Sequence, residues 1–323
     1  MEGFDKNNET REQRTQQGTQ YHDKGAGNDI AYPECLFDRS KWLRRLPYFV
    51  RFDKGRISTN RGREVKDQIT RDTERQPGME RHCQICVHEY GGPQVKRFVL
   101  LSSTVATLNS LEDTSLTGSP YSENDWNPVI SEMAVEKQSP FLGYCAAKTL
   151  GEKAAWKFLE DNKTSFDMTV LLPVVIIGPM LHNVSMPEKV NETNRFTIYN
   201  FLDGTRTDTE DWGLPFYHFV DVRDVSRVHI LALDSPATSN QRVQLVHGLI
   251  TPQIVVNIIR KNFPELKSRV PEGNPSQVVP HGVRISRWNN EKSYQVLGKD
   301  STYKDLETSV VDTVNDILRH EKE

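Results

Sequence analysis

Apolar positions are sparse along residues 1–84 and close up into strand- and helix-period runs from Val95 onwards. Residues 1–30 are dominated by Asn, Gln, Glu, Lys and Thr, too polar to offset the entropy of ordering, and are predicted to be disordered. Core-like material follows at Tyr32, Leu36, Phe37, Trp42, Leu43, Leu46, Tyr48, Phe49 and Val50, as in a short helix or a docked segment. In residues 53–81, Arg61, Arg63, Lys66, Arg71, Arg75 and Arg81 alternate with acids and lack aromatics. That mixture reads as a solvated or disordered face rather than a nucleic-acid arm.

From Val95 to Leu101 the chain reads as a short strand buried on both faces, as parallel strands are. Loop signals follow at Gly118-Ser-Pro120, Trp126-Asn127-Pro128 and Ser139-Pro140. Residues 141–162 are predicted helical, with Leu142, Ala146, Leu150, Ala154, Phe158 and Leu159 as the apolar face. Met168 to Ile177 reads as a second buried strand ended by Gly178-Pro179, and residues 180–217 as irregular and rich in aromatics. His218 to Val225 leads into a helix reaching Leu233, and Val243 to Val246 forms a third short strand. Thr251 and Pro252 read as cap and first residue of a helix running to Phe263. An amphipathic tail spans 303–320 through Leu306, Val310, Val314, Ile317 and Leu318. Alternating strands and helices imply an α/β fold with a parallel sheet covered on both faces.

The division that follows is a polar segment, 1–84, and an α/β unit, 85–323. At 323 residues the chain has room for one large domain with a lobe. A formal charge of -3 and a pI near 6.3 argue against nucleic-acid or membrane-surface partners. No apolar run reaches the roughly 18 residues of a spanning helix, and no signal-peptide core is visible. A cytoplasmic protein is expected. Four cysteines fit a reducing compartment. His82-Cys83-Gln84-Ile85-Cys86-Val87-His88 offers too few well-spaced ligands for a structural zinc site and reads instead as a helix end before Gly91-Gly92-Pro93. No metal is expected.

The chemistry gathers in Phe98–Lys148. Ser102-Ser103 closes the first strand, and Tyr144-Cys-Ala-Ala-Lys148 lies at the head of the helix after it. Free tyrosine titrates near about 10, and a lysine four residues on shares its helix face, where its charge favours the phenolate. A serine at a strand end can hold a carbonyl oxygen, and hydride can come only from a nicotinamide. The spacing alone is weak, but it occurs once among ten tyrosines and in the one helix that follows a Ser-Ser strand end.

Phe98-Val-Leu-Leu-Ser-Ser103, Ser122-Glu-Asn-Asp-Trp-Asn-Pro128 and Tyr144 to Trp156 resemble, in order, the extended short-chain dehydrogenases/reductases of the dihydroflavonol-reductase-like branch. Pro173-Val-Val-Ile-Ile-Gly-Pro179 and Phe219-Val-Asp-Val-Arg-Asp-Val225 continue the resemblance, which is similar to fungal NADPH-dependent aldehyde and ketone reductases. It implies a Rossmann-like sheet with a small C-terminal substrate lobe, and a monomer or homodimer that reduces a small-molecule carbonyl compound with NADPH. It makes Tyr144 the proton donor, Lys148 its tuner and a ligand of the nicotinamide ribose, and Ser103 the holder of the substrate oxygen. Pro173 and Ile176 would border the nicotinamide, Thr193 would lie near the cofactor phosphates, and the aromatic stretch 196–217 would help form the lobe. Nucleotide-sugar epimerases and dehydratases share the triad and are the alternative enzyme class.

The pattern breaks before Ile85. The family opens with a strand and a glycine-rich turn that brings backbone to the pyrophosphate. Here Gly25-Ala-Gly27 is the nearest match; it follows polar residues, its spacing is wrong, and Pro33 interrupts the expected helix. The first strands of the sheet are therefore expected to be lacking. The other reading of the chain is a cofactor-less remnant acting as a binding or interaction module.

Overall fold

The computed structural model describes residues 95–111, 120–182, 184, 189–213, 217–283, 285–297 and 302–321. The expectations for the segment 1–84, the motif at His82–His88 and the turn at Gly25 fall outside the described residues, as does the boundary at 85.

Among the described residues three parallel strands form the main sheet: β1 (Arg97–Leu101), β2 (Asp167–Pro173) and β5 (Gln241–Leu245), in the order β1-β2-β5. Their register pairs Phe98 with Met168 and Leu100 with Val170, then Val170 with Arg242 and Leu171 with Val243. Side chains alternate across a strand, so two faces are populated in turn. Phe98, Leu100, Met168, Val170 and Leu172 pack under helix α2 (Pro140–Asn162) with Ala155 and Phe158. Val99, Leu171, Val243 and Leu245 pack under helix α5 (Val222–Asp234) with Val225, Val228 and Ala232. Helices on both faces of a parallel sheet are the Rossmann-like arrangement.

Helix α2 starts where the sequence indicates. Ser139 Oγ accepts from the Leu142 N–H at 3.3 Å and Pro140 opens the first turn. Its buried face keeps Leu142, Ala146 and Phe158 of the expected positions and is otherwise shifted. Leu142, Cys145, Ala146, Thr149, Glu152, Ala155 and Phe158 are inside, whereas Ala154 and Leu150 are only partly covered. A polar row therefore enters the interior with this helix. A short helix, α1 (Ser131–Glu136), precedes it within the stretch expected to be loop.

The apolar run 168–177 is two strands rather than one. Pro173 ends β2, Val174 N–H bonds to Leu245 O at 3.2 Å, and β3 (Val175–Ile177) pairs parallel with β4 (Phe219–Asp221) in a separate sheet. Residues 180–217 are not all irregular. Helix α3 (Glu192–Asn194), a π-helical turn Arg195–Tyr199 and helix α4 (Asn200–Leu202) run on continuously. These pieces, helix α6 (Pro252–Asn262) and helix α8 (Leu306–His320) surround β3 and β4 with a second core of Val175, Ile177, Ile198, Phe219, Val256, Ile259, Val310 and Val314. This is the lobe. Phe201, Tyr199 and Tyr217 lie buried and Phe196 packs edge-on to Trp212 at 5.8 Å, so most of the described aromatics there build its interior. Helix α7 (Glu291–Leu297) covers the sheet beside α5.

Candidate active site

All strands of a parallel sheet end on one side, and the helix after β1 begins there. The end of β1 before Ser103 and the second turn of α2 are thus brought together by topology. Ser103 lies two residues past the end of β1 and caps the short turn Thr104–Ala106, its Oγ accepting from the Val105 N–H at 3.4 Å. Tyr144 is hydrogen-bonded to Ser103. Lys148, one helical turn on, places Nζ 5.9 Å from the centroid of the Tyr144 ring.

The electrostatics differ from the simple expectation. Burial pushes the Tyr144 phenol up to about 12; the hydrogen bond with Ser103 works against this, and Cys145 and Glu192 add to it. Tyr144 is nonetheless 39% exposed, and solvent on that side of the ring counters part of the rise. Burial also draws the Lys148 ammonium down to about 8, opposed by the negative charge of Glu152. In the protein alone, desolvation thus outweighs any pull of Lys148 on the phenol. At neutral pH the phenol carries its proton and the lysine is mostly charged. A protonated phenol beside a cation is an arrangement that can give a proton to a developing alkoxide.

Pro173 belongs to the same cluster. Its carbonyl accepts from Thr104 Oγ1 at 3.4 Å, which lays the end of β2 against the Ser103 turn. Ile176 sits in the middle of β3, partly exposed, opposite Val220. Thr193 borders the site through its neighbour Glu192, whose charge acts on Tyr144. The Thr193 hydroxyl itself accepts from Asn191 Nδ2 at 2.8 Å. This short segment is fixed by Asn194, which donates to Gly178 O at 2.7 Å and accepts from Gly178 N–H at 3.2 Å.

Several residues of the site had no role assigned from the sequence. Asn127, 1% exposed, donates to Val105 O at 2.7 Å and Ser110 Oγ at 2.8 Å and accepts from Val129 N–H at 3.0 Å, clamping the turn that carries Ser103. Glu152 and Arg242 form a buried pair, Nε to Oε1 at 2.6 Å, and the Arg242 guanidinium lies 3.7 Å from the centroid of the Trp126 ring. The available signals were Asn127 within Trp-Asn-Pro and an arginine beside the short strand read at Val243–Val246. Among the described residues no group of three or more metal-ligating side chains forms, and no helix is long and apolar enough to cross a membrane.

Over 241 residues the chain is 31% identical to the NADPH-dependent methylglyoxal reductase GRE2 of Saccharomyces cerevisiae, covering 73% of this chain and 67% of that protein. The chain belongs to the extended short-chain dehydrogenase/reductase family. Within the family, the GRP2 protein of Candida albicans is 34% identical over 229 residues, 70% of this chain and 64% of its own. The crystal structure of yeast methylglyoxal/isovaleraldehyde reductase Gre2 complexed with NADPH superposes with a TM-score of 0.62 at 30% identity, covering 73% of this chain and 67% of that one. Vestitone reductase from alfalfa, at 21% identity and a TM-score of 0.56, shares the fold. No protein-family model matches the chain. The chain spans about two thirds of the length of these curated relatives, 64% and 67%.

Proposed function

We propose that the chain reduces an aldehyde or ketone to the alcohol with NADPH, using Ser103, Tyr144 and Lys148. The observation that carries this reading is the meeting of Ser103 and Tyr144 at the carboxyl end of the sheet, with the Lys148 ammonium one turn below. Two hydroxyls and an ammonium are the donor set that a carbonyl oxygen and a nicotinamide ribose call for, so the nicotinamide half of the cofactor fits the residues present. Lys148 and Tyr144 would hold the ribose, with Pro173 and Ile176 beside the ring and Thr193 towards the phosphates. NADPH, when bound, supplies the hydride. Ser103 orients the substrate oxygen by hydrogen bonding. Tyr144 gives its proton to that oxygen as it becomes an alkoxide, which is more basic than a phenolate. Lys148 stabilises the phenolate left behind, and its charge makes the transfer downhill.

The adenine half is a different matter, because the sequence carries no glycine-rich turn of the family type. That fact supports the second reading, a chain that keeps the triad without holding NADPH. One measurement separates the two: titration of purified protein with NADPH, followed by fluorescence or thermal shift. The reductase reading expects saturable binding and consumption of NADPH with an apolar aldehyde or ketone. No binding at millimolar cofactor overturns it and leaves the remnant.

A further inference from the structure

Tyr144, Lys148 and Glu152 stand at successive four-residue steps on α2, and such positions share one helix face. The third member is fully buried, a costly place for a carboxylate. It is tied in two directions. Ser102 Oγ donates to Glu152 Oε2 at 2.7 Å, and Arg242 Nε donates to Glu152 Oε1 at 2.6 Å. Arg242 in turn donates through Nη1 to Glu123 O at 2.7 Å and Asp125 O at 2.6 Å, and covers Trp126. Arg242 shares the α2-facing side of the sheet with its register partner Val170, where the neighbouring strands carry only apolar side chains. A buried ion pair gains little net stability over apolar residues of the same volume. Its presence under a reactive lysine calls for another explanation.

We propose that Glu152 is the positioning residue of this site: it joins the strand end bearing Ser103 to the helix bearing Tyr144, and it presents the negative charge that Lys148 faces. The first role follows from connectivity. Ser102 precedes Ser103 in the chain, so a hydrogen bond from Ser102 to α2 fixes how far Ser103 lies from Tyr144. The second follows from the helical step. Burial works to discharge Lys148, and Glu152 opposes it. Of the other charges around the site, Glu192 of α3 acts on Tyr144, and Arg242 of β5 is paired with Glu152. The catalytic consequence rests on the reductase reading, whereas the charge on Lys148 does not.

The test uses the full chain, reductively methylated with ¹³C so that each lysine titrates as a resolved NMR signal, that of Lys148 being the one lost in Lys148→Arg. Because Glu152→Gln alone leaves the Arg242 charge buried and unpaired, the double variant Glu152→Gln/Arg242→Gln is measured beside it. The Lys148 midpoint is expected near 8 in the wild type and lower by about one pH unit in the double variant. An unmoved midpoint in a folded variant overturns the charge role. Ser102→Ala is expected to shift the Tyr144 ring resonance, assigned by its loss in Tyr144→Phe, and to lower kcat about tenfold without moving the alkaline limb of the pH profile. An unmoved resonance overturns the tie to Ser103. Failure of the wild type to bind NADPH removes the reductase reading and leaves both NMR results standing.

Discussion

Lys148 Nζ lies 5.9 Å from the centroid of the Tyr144 ring, one helical turn away, and burial moves the two groups in opposite directions. The phenol is held in its protonated form and the ammonium is brought close to neutrality of the surrounding medium. A donor that stays protonated beside a lysine that is still charged at neutral pH suits the reductive direction, in which a proton leaves the phenol and negative charge appears beside the lysine.

Turnover is therefore expected to fall as pH rises through about 8, where Lys148 loses its charge. Lys148→Met keeps the aliphatic stem and removes the cation. It should cut kcat/KM by roughly 10²–10³ and abolish that limb. Tyr144→Phe should lower kcat by about 10²–10⁴ while leaving NADPH binding nearly unchanged. Steady-state kinetics across pH and a cofactor titration check all three. Retained turnover in Tyr144→Phe would show that another group donates the proton.

Asn127 clamps the Ser103 turn from behind through three hydrogen bonds and is itself buried. Asn127→Leu preserves volume but strands the Val105 carbonyl and the Val129 N–H. The expected loss is on the order of 3 kcal/mol of stability, with kcat reduced further than KM because the serine would no longer be held against Tyr144. Urea unfolding with kinetics on the folded variant separates the two effects. Equal stability and equal kcat would mean that the clamp does not matter.

Asn194 binds both polar groups of Gly178, whose φ of +138° and 2.7 Å approach from an added Cβ to Val222 Cγ1 leave no room for a side chain. Asn194→Ala should free the segment holding Glu192 and Thr193, weakening NADPH binding several-fold at a cost of about 1–3 kcal/mol in stability. Gly178→Ala should destabilise as well, through strain at a positive φ and the clash with Val222. Isothermal titration of NADPH and thermal unfolding are the measurements. Undiminished affinity in Asn194→Ala would place the segment away from the cofactor.

The layers of the fold were legible because burial follows period. Phe98, Leu100, Met168 and Val170 on one face, and Val99 and Leu171 on the other, repeat cleanly enough to mark parallel strands. The break after Pro173 was not, since an apolar run continues through Val174 although the hydrogen-bonding partner changes from β5 to β4. The helix at 192–202 was missed for a related reason. Its π turn at Arg195–Tyr199 inserts extra residue length and shifts the phase of the buried positions, so no single 3.6 period fits. At the site, the proximity of the Ser102-Ser103 strand end, Tyr144 and Lys148 was readable from spacing within one local unit. Arg242 was not, because its meaning depends on a carboxylate 90 residues earlier in the chain.

Asp221 offers the clearest pH dependence of folding. It ends β4, caps α5 by accepting the Arg223 N–H at 2.8 Å, and is held by the Arg223 side chain at 2.7 Å and by Ser309 Oγ of α8 at 2.7 Å. Burial disfavours its charge, but the hydrogen bonds from Arg223 and Ser309 outweigh it, so the carboxyl sits below the usual aspartate value. The unfolded chain then binds a proton at higher pH than the folded one. Stability from this group is complete above the unfolded value and drains away as pH falls through the folded one. Asp221→Asn, which is also unable to pair with Arg223, should lose about 2–3 kcal/mol near neutral pH and show a flatter decline between about pH 5 and 2. Urea midpoints taken across that range for both proteins make the comparison. Parallel curves would mean that Asp221 titrates alike in the folded and unfolded chains, and that the tie between β4 and α8 owes nothing to its charge.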